Sequence, residues 1–272
     1  MADFSPEDYP IYCESSGIGQ PALLFVHGYC RSHEDWDIQV DHFRASHRVV
    51  VCDLPGHGRS QCVPDQISIE GFAARVASVI GEARLSPVVL IGHSMGCRIV
   101  LQTYLNRPQD VVGVVLIDGS WCSAGNFSGM RGRVTADFAS LGYQQFLQRE
   151  FEEMFVPTSD PLLKRRIVTE ALTMPRAVGE PLLLRALEWD ATHIEEALSR
   201  IAVPLLVLQS TALNVERRRA TLKEGETTPW LELVRKLVPG VQVHVLPGIG
   251  HFSMLEAPSQ INRAIGQFVN GL

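Results

Sequence analysis

Six apolar runs of strand length constrain this chain more than any other feature. They are residues 22–26 (ALLFV), 48–52 (RVVVC), 87–91 (PVVLI), 111–117 (VVGVVLI), 203–209 (VPLLVLQ) and 241–246 (VQVHVL). Most are continuous rather than alternating, the pattern of strands covered on both faces. Helical periodicity falls between them. It runs over 69–84 through Phe72, Val76, Val79 and Ile80, and over 95–106 through Ile99, Val100, Tyr104 and Leu105. A last helix is expected to start at Pro258 and to bury Ile261, Ile265 and Phe268. Such alternation predicts an α/β fold, a mostly parallel sheet with right-handed crossovers and helices on its faces. A short strand near Ile11–Cys13 is expected at an edge.

The rhythm breaks between residues 119 and 200. That stretch has no convincing strand, and helices are expected over 143–154, 161–172 and 180–198. The expected organisation is therefore a core from 1–118 and 201–272 with an inserted helical cap over 119–200. A cap there would cover the carboxyl edge of the sheet, where ligands bind in open α/β folds.

Composition narrows the function classes. Of 272 residues 46% are hydrophobic and 20% charged, the net charge is −6, and no basic run stands out. Nucleic acid and anionic membranes are not the expected partners; a small-molecule substrate is. Arg217-Arg218-Arg219, beside Glu216, reads as a solvated turn or helix face. The opening MADFSPEDYP is acidic and lacks the apolar segment of a secretion signal, and the apolar runs are far too short to span a membrane. The six cysteines (13, 30, 52, 62, 97 and 122) have no metal-ligand spacing and read as reduced thiols in a cytoplasmic protein. No metal is expected.

The chemistry concentrates in VVLIGHSMGCRIVL, where Gly92-His93-Ser94-Met95-Gly96 follows a strand and opens a helix. In that context G-x-S-x-G is a nucleophile elbow: the serine sits on a strained turn with its hydroxyl projecting above the strand tips. Three further stretches accompany it in order, FVHGYC (25–30), DLPGHGRS (53–60) and GIGHFSMLEAP (248–258). Together the four resemble the α/β-hydrolase family over nearly the whole chain. The resemblance implies the α/β-hydrolase fold, a serine hydrolase activity and no cofactor.

A serine hydroxyl needs a base, and His251 is the candidate, in a loop before the last helix. His27 and His57 read as turn organisers, His93 as packing beneath the elbow, and His33 as a surface or cap residue. By resemblance, the oxyanion donors are the backbone N–H groups of Met95 and Tyr29. The third member is less direct. The family's usual acid follows the strand after the cap, where this chain reads Ser210-Thr211-Ala212-Leu213-Asn214 and first reaches a carboxylate at Glu216. Asp118 instead ends the run VVGVVLI, a position where some members of the family carry their acid. Asp118 is the expected triad acid, with Glu216, or no acid at all, as the alternatives. Asp53 and Arg59 read as stabilising the turn after their strand, and Cys30, Trp121, Phe127, Met130, Trp189 and Phe252 as candidate pocket residues.

The expected function is hydrolysis of a small or medium carboxylic ester, with lactone or amide next, through an acyl-enzyme. Carbon–carbon bond hydrolysis and a non-catalytic ligand receptor are alternatives on the same fold. So is a cofactor-free dioxygenase of an N-heteroaromatic ring: Gly28-Tyr29-Cys30 resembles the Gly-Trp-Cys of those enzymes, but Met95 stands where they carry His.

Overall fold

All six apolar runs are strands in the computed structural model, which describes residues 10–62, 66–121, 127–214 and 218–272. Glu216, Arg217, Cys122 and the first nine residues lie outside them. In chain order the elements are β1 (Cys13–Ser16), β2 (Ala22–Val26), α1 (Asp37–Phe43), β3 (Val49–Cys52), α2 (Ile69–Glu82), β4 (Val88–His93), α3 (Met95–Asn106) and β5 (Val111–Ile117). Then come α4 (Phe127–Leu141), α5 (Tyr143–Glu152), α6 (Pro161–Ala171), α7 (Arg176–Thr192), α8 (Ile194–Ser199) and β6 (Leu205–Gln209). The chain closes with β7 (Thr211–Leu213), β8 (Arg219–Thr221), α9 (Pro229–Leu237), β9 (Gln242–Val245), α10 (Ser253–Glu256) and α11 (Pro258–Val269).

Seven strands form one sheet in the order β1-β3-β2-β4-β5-β6-β9, all parallel except β1, which runs antiparallel to β3. The expected edge strand therefore exists, a few residues later than the sequence placed it. Strand periodicity explains the continuous apolar runs. Leu24, Val50, Leu90, Val114 and Val207 face one core, while Phe25, Val51, Ile91, Val115 and Leu208 face a second. Both faces are covered by helices, so neither set of alternate residues is polar.

Among the described residues, five helices, α4 to α8, lie between β5 and β6. The single helix expected over 180–198 is two, because His193 leaves helical backbone (φ −127°) between α7 and α8. Helix α9 was not expected, although Thr228 caps it through a bond from Leu231 N (3.1 Å) and Pro229 occupies its first turn. The β7–β8 hairpin was missed too; it is short and only partly buried.

Two buried arginines, Arg31 and Arg98, tie the helical segment to the sheet layer, the first through half-exposed Glu170 and the second through buried Asp190. Arg31 bonds Asp35 (2.6 Å) and reaches Glu170 of α6 (2.7 Å). Arg98 of α3 grips Asp190 of α7 with two parallel bonds, Nε to Oδ1 at 2.7 Å and Nη2 to Oδ2 at 2.6 Å. Removing one partner of such a pair leaves the other charge buried without compensation. Asp190→Ala is expected to lower the unfolding free energy by about 3 kcal/mol; urea titration followed by tryptophan fluorescence checks it.

Candidate active site

Ser94 stands between β4 and α3 with φ 55° and ψ −115°, a conformation few non-glycine residues adopt. Its neighbours make that turn feasible. A Cβ at Gly92 would run into the Gly96 carbonyl oxygen, and one at Gly96 into that of Val26. The glycines of GHSMG are thus required by close backbone approach.

The ladder continues one residue beyond the strands. Ser94 N donates to Ile117 O (2.9 Å) and Asp118 N to Leu208 O (2.8 Å). Ser94, Asp118 and the turn after β6 therefore stand side by side at the carboxyl edge.

His251 reaches this edge from the loop after β9 and is buried, 1% exposed. Its amide donates to Met154 O (2.8 Å), and its carbonyl lies 2.9 Å from His93 Nε2. The two rings are 4.7 Å apart. His93, the variable residue of the elbow, thus pins the histidine loop to the nucleophile turn. Nε2 of His251 is buried and has no hydrogen-bond partner among the described residues.

Asp118 is fully buried at the tip of β5, in left-handed backbone (φ 48°). Its Oδ1 accepts from Ser210 N (3.0 Å), Thr211 N (2.9 Å) and Thr211 Oγ1 (3.1 Å). Ser210 Oγ closes on Oδ2, with the Gly250 carbonyl 2.7 Å away from the same hydroxyl. The expected direct bond from His251 Nδ1 to Asp118 is not formed. Nδ1 instead meets Thr211 Oγ1 at 3.4 Å and Arg219 Nη1 at 3.0 Å. The carboxylate is claimed first by the amides of the turn after β6, and Thr211 stands between acid and imidazole. Arg219, read from sequence as part of a solvated turn, comes back over the edge on β8 and is half-buried.

A cavity of about 70 Å³ opens over Ser94, lined also by Tyr29, Met95, Arg98, Phe146 and Leu187. A second, of about 370 Å³, adjoins it and shares Ser120, Leu213 and Arg219. The Tyr29 hydroxyl donates to Gly179 O of α7 (2.9 Å), so its side chain is committed to the helical segment. Of the candidate pocket residues, Trp121 lines the second cavity. The others lie elsewhere. Cys30 sits in a cleft with His57, and Trp189 is buried against α3 with its Nε1 on Gln102 Oε1 (3.1 Å). Met130, Phe127 and Phe252 join the second core, Phe252 stacked on Phe155 at 5.3 Å. Apolar residues of α5 and α7 form the walls instead, and their amphipathic spacing in the sequence did not reveal which face turned inward.

The other histidines largely follow expectation. His27 Nε2 accepts from Leu54 N (3.0 Å) and His57 Nε2 from Cys30 N (3.3 Å), organising two turns. Asp53 accepts from the amides of His33 and Arg59, both at 2.8 Å. His33 is not a surface residue: it is 5% exposed, with Nδ1 2.8 Å from Asp53. No disulfide joins the described cysteines, no group of side chains among the described residues has the makings of a metal site, and no described helix is long and apolar enough to cross a membrane.

Residues 23–264 match the alpha/beta hydrolase family. Among curated proteins, the chain is 25% identical over 265 residues to the dihydrolipoyllysine-residue acetyltransferase component of an acetoin cleaving system from Pseudomonas putida. That match covers 94% of the chain but only 65% of the relative's length. A pimeloyl-(acyl-carrier protein) methyl ester esterase from Edwardsiella ictaluri is 26% identical, with 96% of this chain and 98% of that protein covered. Among solved structures, Est816, described as an N-acyl homoserine lactone degrading enzyme, superposes with a TM-score of 0.78 at 25% identity, covering 95% and 96% of the two chains. An esterase from Exiguobacterium antarcticum shares the fold at a TM-score of 0.78 and 19% identity, over 96% and 95%.

Burial dominates the electrostatics of the edge. It pushes the His57 and His93 imidazoles down to about 4 and holds His27 and His251 well below the usual histidine value; for His251 the Arg219 charge adds to the effect. Burial raises Asp118, against the pull of its Ser210 and Thr211 bonds and of Arg219. The sign for stability follows. Below about pH 6.5 the unfolded chain takes up imidazole protons that the folded chain refuses, so stability falls as pH falls toward 4. Asp118 and Glu256, both raised by burial, act in the opposite sense. With four such histidines against two carboxyls, the melting temperature is expected to drop from pH 7 to 4.5. Calorimetry showing a flat profile would contradict neutral burial.

Proposed function

The chain belongs to the alpha/beta hydrolase family, and on that premise we propose that it is a serine esterase acting on a small carboxylic ester or lactone. The observation that carries this reading is the strained Ser94 at the tip of β4, facing a mostly apolar cavity, with the His251 loop pinned to the adjoining His93. The esterases among the relatives and structural neighbours agree with it.

In this reading Ser94 Oγ attacks the acyl carbon and His251 Nε2 takes its proton. The oxyanion rests on the backbone N–H groups of Met95 and Tyr29, two residues that line the cavity beside Ser94. His251 then gives the proton to the leaving oxygen, and water, deprotonated by the same imidazole, hydrolyses the acyl-enzyme. Asp118 is the acid, acting through Thr211: an Nδ1–H donates to Thr211 Oγ1, which donates to the carboxylate. Helices α4 to α8 serve as the cap. The small cavity takes a short acyl group and the larger one the leaving alcohol. No cofactor is required.

Ser94→Ala is expected to abolish both fluorophosphonate labelling and hydrolysis of p-nitrophenyl esters, with the fold intact by circular dichroism. Asp118→Asn is expected to lower kcat about 10³-fold. Among linear acyl chains, kcat/KM should peak at two to four carbons and decline by octanoate; a maximum at octanoate or longer would refute the cavity assignment.

A further inference from the structure

Resting on the esterase reading, we infer that Glu256 is a positioning residue for the base: its carboxylate holds the backbone on either side of His251 and joins that loop to the connection between α5 and α6.

Residues 246–252 lie between β9 and α10, so no ladder supplies their amides with carbonyls. Around the base, the backbone groups can be followed one by one. His251 N donates to Met154 O at 2.8 Å, and the His251 carbonyl lies 2.9 Å from His93 Nε2. The Gly250 carbonyl lies 2.7 Å from Ser210 Oγ. The Phe252 carbonyl accepts from Leu255 N (2.8 Å) and Glu256 N (2.9 Å). That leaves the amides of Gly250 and Phe252, one on each side of His251, and both donate toward the Glu256 carboxylate. The approach is close: a Cβ at Gly250 would collide with both carboxylate oxygens and with Met154 O.

The same carboxylate reaches the cap. Ser159 Oγ donates to Glu256 Oε2 and accepts from Val156 N at 3.0 Å, so it is fixed within the connection that follows α5. Met154 and Phe155 belong to that connection as well. It therefore meets the histidine loop at three points: Met154 O on His251 N, Phe155 stacked on Phe252 at 5.3 Å, and Ser159 on Glu256. An ionised carboxylate suits the junction because it only accepts, takes several donors at once and binds them through charge-assisted bonds. Glutamine has the same shape but one acceptor oxygen, and its NH₂ would face other donors.

The consequence for the reaction is positional. His251 Nε2 has to stand within hydrogen-bond reach of Ser94 Oγ, and the ring inherits its place from the backbone at 251. A displacement of about 1 Å costs on the order of 10²-fold in rate. Glu256 lines neither cavity, so it acts on proton transfer and not on substrate binding. Met154 does line the small cavity, which places the cap side of this junction against the substrate.

The test measures p-nitrophenyl butyrate hydrolysis, with kcat expressed per serine titrated by fluorophosphonate so that unfolded protein does not count. Glu256→Gln is expected to lower kcat about tenfold and Glu256→Ala about 10²-fold, with KM changed less than about twofold. A purely structural Glu256 would lower the melting temperature and the titratable fraction while leaving kcat per titrated serine at the wild-type value, and that result would overturn the assignment. So would a loss carried by KM with kcat unchanged. Amide hydrogen exchange followed by NMR adds a measurement on the wild-type protein. The Gly250 and Phe252 amides should be protected there and exchange about tenfold faster or more in Glu256→Gln. Rapid exchange of either amide in the wild type, or rates unchanged in the variant, would overturn the assignment. If the wild-type protein neither hydrolyses esters nor takes the fluorophosphonate, the esterase reading is what fails, and the exchange rates still decide whether Glu256 holds the loop.

Discussion

Two backbone hydrogen bonds underlie the whole site: Ser94 N to Ile117 O and Asp118 N to Leu208 O. They extend the parallel ladder one residue past β4 and β5 and so fix the level at which the nucleophile, the carboxylate and the turn after β6 emerge. Parallel strands in register deliver their ends together, and a residue just beyond a strand inherits that alignment. Both residues so placed adopt left-handed backbone, Ser94 at φ 55° and Asp118 at φ 48°. Such strain persists only where the surroundings over-determine it. Here the ladder bonds, the close approach at Gly92 and Gly96, and the amide cradle of Asp118 do so.

A low-dielectric edge follows from that packing. His27, His57, His93 and His251 are all essentially buried, and burial favours their neutral forms. Three of them make bonds in which a neutral ring suffices: His27 and His57 order the turns after β2 and β3, and His93 holds the His251 carbonyl. In such surroundings a single cation acts strongly, because little water screens it. Arg219 beside His251 therefore bears on the base more than an exposed arginine would. The buried Arg98–Asp190 pair anchors α7 to α3, and Arg98 lines the same cavity.

Much of this was legible in local sequence. Strands β2 to β6 were visible because both faces are covered, and continuous apolar runs of five to seven residues follow directly. The elbow was visible because G-x-S-x-G lay between a strand and a helix pattern, and the backbone contacts at Gly92 and Gly96 show why glycine stands there. Other features were hidden for identifiable reasons. The β7–β8 hairpin is three residues a side and partly exposed, too short for a periodic signal. The break at His193 carries no proline or glycine. Helix α9, by contrast, announced itself through Thr228 and Pro229 and could have been read.

The chain by itself determined the sheet, the position of its nucleophile turn and the presence of a carboxylate at the end of β5, since each is written within a dozen consecutive residues whose periodicity and backbone demands are local. Which partner that carboxylate takes, and which groups meet the imidazole, only the tertiary structure decided. Asp118, Thr211, Arg219 and His251 arrive from β5, two arms of a hairpin and a terminal loop, and contacts of 3 Å depend on how those elements fold over one edge. No periodicity in one dimension encodes that meeting, so an arginine that reads as solvent-facing in the sequence stands against the base in space.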